Sequence, residues 1–218
     1  MADQPASLSQ LLQWSITHTA PSDGAAEPSS QPTDPSRGLD PEMLAQLLGG
    51  PSDADRMRDA MAAITAPPAQ IDMHNRMIAW DNFEQLIENL DNANNIEPLH
   101  LWTPLIQQLG AEEAESRMMA AWCCSTAVQN NVKSQERLLA MGGVPLLAAL
   151  AVSGEEGREV RRKAVNALSS AVRNYQPALE ELEKCLPAAV WKSKGLDAGE
   201  MEQVDEVIGK LREGIPRV

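Results

Sequence analysis

Apolar residues in the middle of this chain recur on a helical period, and the same stripe is written three times. Arg-x-x-Ala stands at Arg76–Ala79, Arg117–Ala120 and Arg161–Ala164, and an asparagine follows each arginine by thirteen residues, at Asn89, Asn130 and Asn174. With the arginines in register, apolar columns fall into line: Ala79, Ala120 and Ala164; Phe83, Cys124 and Leu168; Leu86, Ala127 and Ala171; Ile87, Val128 and Val172. These lie at i, i+4, i+7 and i+8, which is one face of an α-helix. The copies are offset by 41 and 44 residues. Recurrence at that spacing predicts a solenoid of stacked helical units, in which function resides on an extended surface rather than in a pocket.

The intervening segments repeat too. Leu109 and Leu150 each follow Asn89 and Asn130 by twenty residues, and Pro104-Leu105-Ile106 matches Pro145-Leu146-Leu147, with each proline expected to open a helix. The third copy fades after Leu182, Pro187 interrupts it, and residues 196–213 read as a charged terminal helix. An end layer must turn one face to water, so it departs from the pattern. Upstream, residues 53–66 predict a helix closed by Pro67-Pro68. Asp40 as N-cap and Pro41 as first residue open an earlier helix, which runs through Met43, Leu44, Leu47 and Leu48 to a stop at Gly49-Gly50. The expected organisation is a short amphipathic segment at 1–16 (Leu8, Leu11, Leu12, Trp14), a flexible Pro/Ser-rich linker at 17–38, N-terminal capping helices at 39–70, repeats at 71–195, and a capping helix with tail at 196–218.

Composition narrows the function. With 218 residues and 43% apolar content the chain can fill a sizeable core, and because aromatics are only 3%, Ala, Leu and Met must do so, which suits close-packed helices. A formal charge of −13 argues against nucleic acid and against an acidic membrane surface. Residues 8–16 are too short and polar to span a bilayer, and no run of eighteen apolar residues occurs. Three cysteines, with Cys123 and Cys124 adjacent and no secretory signal, suggest a reducing, cytoplasmic home. Cys124 falls in a core column, so it reads as a small buried apolar group. His18, His74 and His100 show no metal-ligand spacing, and neither a phosphate-cradling loop nor a nucleophile–base constellation is legible. No cofactor or metal is expected, and an enzyme is the least favoured class. Gly49-Gly50 and Gly142-Gly143 read as helix stops, and Glu112-Glu113 as a helix start.

Certain segments are familiar in detail. Gly142-Gly143-Val144-Pro145-Leu146-Leu147 followed by Leu150 resembles the opening of the first helix of an armadillo repeat, and Ala167-Leu168-Ser169-Ser170-Ala171-Val172 resembles a third helix. The acidic, asparagine-rich stretch from Trp80 to Trp102, together with Ala127-Val128-Gln129-Asn130-Asn131 and Leu11-Leu12-Gln13-Trp14-Ser15-Ile16, resembles the Fes/HspBP family in its fungal form. The resemblance covers roughly residues 8–180. It implies an all-α, right-handed superhelical solenoid of armadillo-like repeats that acts as a monomeric nucleotide exchange factor. Its partner would be the ATPase domain of a cytosolic heat shock protein 70 chaperone. The tethered Leu/Trp cluster within 1–38 resembles a chaperone substrate and could engage the peptide-binding domain. Longer members would carry a further unit after the third repeat. An armadillo scaffold or peptide-binding adaptor is the alternative.

Positions between the apolar columns form three rows that should face a partner: Asp81, Trp122 and Asn166; Gln85, Thr126 and Ser170; Glu88, Gln129 and Arg173. Peptide-binding armadillo proteins carry tryptophans and asparagines in such rows. Here only Trp122 fits the first row and no asparagine stands in the second, which argues against a nuclear-signal receptor. Trp122 is either an interface anchor or a side chain tucked against the next helix. Charge is uneven along the repeats: residues 80–97 hold Asp81, Glu84, Glu88, Asp91 and Glu97 with no Lys or Arg. The third copy holds Arg158, Arg161, Arg162, Lys163 and Arg173 against Glu155, Glu156 and Glu159. Such asymmetry would orient a partner.

Overall fold

In the computed structural model the described residues are 50–216, and they form ten α-helices and one 3-10 turn with no strand among them. In chain order the helices are α1 (Asp53–Thr65), α2 (Met73–Ile87), α3 (Leu90–Asn95), α4 (Trp102–Gln107), α5 (Ala114–Val128), α6 (Val132–Ala140), α7 (Gly143–Val152), α8 (Arg158–Val172), α9 (Gln176–Cys185) and α10 (Met201–Glu213). The segments expected at 1–16 and 17–38, and the helix expected from Asp40, lie outside the described residues. From Asp53 onward the chain is one unit.

The three copies of the apolar stripe are α2, α5 and α8, each of fifteen residues, and the recurrent arginine is the fourth residue of each. Packing runs in a row from α1 to α2, α5, α8 and α10, with the shorter helices behind, so the architecture is an armadillo-like solenoid. The predicted columns are buried throughout except at Leu86, which is half-buried. Leu86 turns toward α1 and lines a hollow there with Ile78 and Ala60, so the larger side chain at this position packs sideways where the alanines of later layers point inward.

Local chemistry sets the joints. Asn130 and Asn174 sit in the left-handed region, at φ 52° and 55°, which asparagine tolerates better than most residues. Asn89, their counterpart, caps α3 instead, accepting from the backbone N–H of Asp91 at 2.8 Å. Gly142, at φ 73°, ends α6 as expected, but Gly143 is already the first residue of α7 and is no stop. A Cβ on Gly143 would fall 2.3 Å from Leu138 Cδ1, so close helix packing requires glycine. Pro104 and Pro145 do not open their helices. Each is the third residue, which costs nothing because first-turn amides have no intrahelical partner.

The recurrent arginines fasten the layers. Each reaches back to a carbonyl near the end of the preceding helix or turn: Arg76 Nη2 to Ala66 at 2.7 Å, Arg117 Nη1 to Ala111 at 2.8 Å, and Arg161 Nε to Ala151 at 3.0 Å. A cation there satisfies orphan acceptors and complements the helix dipole. Arg76 and Arg117 also pair forward with an acid of the next copy, Glu113 at 3.7 Å and Glu156 at 2.8 Å. A second fastening is amide-based. Gln135 on α6 is buried, and its Nε2 donates toward three carbonyls at the end of α8, Ser170 at 2.9 Å, Ala171 at 3.1 Å and Arg173 at 3.0 Å.

The terminal helix α10 packs on α8 at an offset of 43 residues: its buried Val204, Val207, Ile208 and Leu211 match Arg161, Ala164, Val165 and Leu168. It begins five residues later than the sequence suggested, at Met201. The residues before it are pinned to α9 and the turn preceding it, with Asn174 N–H donating to Ala198 O at 3.0 Å and Gln176 bonding both Leu196 O and Ala198 N–H at 2.9 Å.

Candidate functional site

The polar face of the long helices carries two adjoining hollows. One, of ≈ 430 Å³, lies between α2 and α5 and is lined by Glu84, Glu88, Trp122, Thr126, Gln129 and Asn130. The other, of ≈ 360 Å³, lies between α5 and α8, and there Gln129, Asn130, Asn166, Ser170 and Arg173 meet Arg212 of α10. Gln129 and Asn130 belong to both, so the surface is continuous. Of the nine residues singled out in sequence, Glu88, Trp122, Thr126, Gln129, Asn166, Ser170 and Arg173 line these hollows. Asp81 is exposed and lines neither. Gln85 lies elsewhere, in the ≈ 610 Å³ groove between α1 and α2 with Arg56, Asp59 and Ile78.

Trp122 sits half-buried against the core, and the Lys163 ammonium from α8 lies 3.0 Å from its ring centroid. One part of this tryptophan packs on the neighbouring helix, while another borders the hollow. A cation over an indole face is attracted by the ring quadrupole, which holds the ring in place. Burial pushes the Lys163 ammonium below its usual range, with repulsion from Arg162 adding to this and Glu84 and Glu159 opposing it.

Glu84 departs most from the sequence reading. It stands among the acids of 80–97 expected to orient a partner, yet only 7% of it is exposed, and it accepts a hydrogen bond from Thr126 Oγ1 at 2.7 Å. A buried carboxylate needs such partners to remain tolerable. Arg173 is likewise engaged: Nη2 pairs with Asp205 of α10, and Nε donates to Ser169 Oγ at 3.3 Å. Its guanidinium is fixed and partly neutralised.

Sequence reasoning missed Glu84, Lys163 and Arg212 as parts of this face. Glu84 shares a column with Ser125 and Ser169, one residue past the Phe83–Cys124–Leu168 column, and that polar column was the available signal. Arg212 lies beyond the third repeat, where no register reached it. Cys123 and Cys124 are fully buried; burial raises the Cys123 thiol well above its usual 9.0, with the neighbouring Cys124 contributing, and raises Cys124 to about 12. Thiols so protonated are poor nucleophiles. Among the described residues no group of three or more His, Cys, Asp or Glu is placed to hold a metal, and no single helix is long and apolar enough to cross a membrane.

Stacked helical layers with a continuous polar face define an armadillo-like solenoid. Residues 8–96 match the family model described as nucleotide exchange factor Fes1. A Gibberella zeae protein named Hsp70 nucleotide exchange factor FES1 is 54% identical over 209 residues, covering 95% of this chain and 96% of the relative. A Neurospora crassa protein of corresponding name is 48% identical over 236 residues, covering 94% and 96%. A longer FES1 from Candida glabrata is 45% identical over 171 residues, covering 77% of this chain and 56% of its own length. The chain belongs to the Fes1 family. In three dimensions it resembles an engineered protein solved by the Northeast Structural Genomics Consortium, with a TM-score of 0.50, 15% identity, and coverage of 79% and 70%, a likeness of fold alone.

Proposed function

We propose that this chain is a nucleotide exchange factor that binds the ATPase domain of a heat shock protein 70 chaperone and accelerates ADP release, acting as a monomer in the cytoplasm. The observation that carries this reading is 54% identity, across 95% of the chain, to a protein bearing that name. The mechanism is linkage. If the polar face binds the nucleotide-free form of the ATPase domain more tightly than the ADP-bound form, it must weaken ADP binding by the same factor. Equal affinity for both forms would shift nothing. A solenoid whose layers are cross-fastened by arginines and Gln135 suits this role, because a stiff cradle imposes its preferred shape on the partner. The residues that line the two adjoining hollows, Glu88, Trp122, Thr126, Gln129, Asn166, Ser170 and Arg173, supply the grip, while Asp81 and Gln85 lie outside them.

Stopped-flow release of labelled ADP from the chaperone tests the proposal: the off-rate should rise with the concentration of this chain. An off-rate that never changes, with binding indifferent to ADP, would identify a scaffold instead. Trp122→Ala combined with Arg173→Glu should abolish the acceleration, and full retention would remove these residues from the role. Deleting residues 1–38 should leave ADP release intact and slow release of a bound peptide from the chaperone. If peptide release is unaltered, that segment has no part at the peptide-binding domain.

A further inference from the structure

We infer that the end of the polar face between α8 and α10 is a carboxylate-binding site that takes a compact acidic segment of a partner protein. Arg158 and Arg162 of α8 and Arg212 of α10 converge with Asn166 on a hollow of ≈ 520 Å³. Arg212 and Asn166 also wall the neighbouring hollow that contains Arg173, so the two form one basic recess. Acids are present but committed: Glu159 pairs with Arg162 at 2.6 Å, and Glu213, on the rim, pairs with Lys210 at 2.9 Å. Arg158 and Arg212 are exposed and have no ion pair among the described residues. In a chain of net charge −13, this recess gathers guanidinium groups on one face, so it is a local positive patch that attracts anionic groups.

The chemistry of the ligand follows from the donors. Every cation here is a guanidinium, a planar fork whose paired N–H groups match the two oxygens of a carboxylate. Asn166 adds an amide donor beside them. The size of the ligand follows from what lies at the other end. Glu84 and Glu88 occupy the α2–α5 hollow, two helix spacings from the α8–α10 hollow, or roughly 16–20 Å at typical interhelix distances. That is about two Debye lengths, so a few carboxylates gathered at the basic end scarcely feel those acids. An extended polyanion lying along the face would run into them. The charge pattern therefore favours two or three clustered carboxylates over a nucleic acid or a membrane surface.

This inference rests on the exchange reading only for the identity of the partner; the carboxylate preference stands on the arginines. The experiment is an NMR titration of the full ¹⁵N-labelled chain with hexaglutamate peptide, in parallel with inorganic phosphate and a twelve-nucleotide single-stranded DNA. Hexaglutamate should shift the Arg158 and Arg212 side-chain Nε–H signals at about 0.15 M salt and release them as salt is raised further. Arg158→Gln with Arg212→Gln, both exposed positions, should weaken it by about tenfold or more with the fold unchanged. No shift with hexaglutamate, or tighter binding of phosphate or DNA at the same arginines, overturns the proposal. Association of the same variant with the chaperone ATPase domain should slow by about tenfold, and an unchanged rate would overturn the assignment of this site to that partner. If the wild-type chain leaves ADP release unaltered while hexaglutamate still binds, the exchange reading fails and the site survives.

Discussion

Arg117 and Glu156 join two neighbouring layers: an Nη2–H donates to Oε2 at 2.8 Å, and Nε stands 2.8 Å from Oε1. The two side chains retain only 19% and 12% exposure, so water screens the pair poorly. Arg117 also donates to the carbonyls of Ala111 and Glu112, at 2.8 and 2.7 Å.

Arg117→Ala should therefore destabilise the chain by about 2–4 kcal/mol, since it strands a largely buried carboxylate and two carbonyls. Glu156→Gln keeps an acceptor and should cost about 1 kcal/mol. Urea unfolding at unchanged slope measures both. A loss below about 0.5 kcal/mol for Arg117→Ala would mean that the pair behaves as an exposed one.

Gly142 and Gly143 are adjacent but constrained differently. Gly143→Ala places a methyl group against Leu138 and Ile106 within the core and should cost about 1–3 kcal/mol. Gly142→Ala meets no atom but must hold a left-handed backbone, at about 1 kcal/mol, and Gly142→Asn should cost less. Thermal melts of the three variants would reveal the order, and equal losses would contradict it.

Trp122 and Lys163 should be coupled. A double-mutant cycle on Trp122→Ala and Lys163→Ala is expected to return an interaction of about 0.5–1 kcal/mol. Additive losses would mean that the ammonium contributes nothing at the ring.

Cys123 and Cys124 make a prediction about pH. Their folded-state values lie above those of an unfolded thiol, so the native chain holds protons that the unfolded chain releases. Stability from this source is complete below about pH 9 and is lost as pH rises through the raised folded-state values, about 12 for Cys124. Neither thiol should react with Ellman's reagent at pH 8 until the protein unfolds. Rapid labelling of the folded chain would show that the layer opens.

The long helices were legible because a single register carries four apolar columns through three copies, and tertiary packing then demands what the period suggests. Leu86 escaped that logic, since α1 packs chiefly on α2 and offers a large side chain there another direction. The asparagine column was real as a pattern but hid two functions, a cap at Asn89 and left-handed turns at Asn130 and Asn174. Whether a polar residue faces water or a neighbour depends on the layer stacked upon it. For that reason the burial of Glu84, the seat of Lys163 over Trp122 and the turn of Gln85 toward α1 are not legible in the sequence. Arg212 could not be read at all, because its position depends on how the terminal helix docks.

Gln135 grips three carbonyls of the adjoining copy with one amide nitrogen. Sliding one layer past the next would break all of these bonds together, so shear at that joint is resisted more strongly than a single contact could manage. A push on one side of that joint is thus passed across it with little lost in bending.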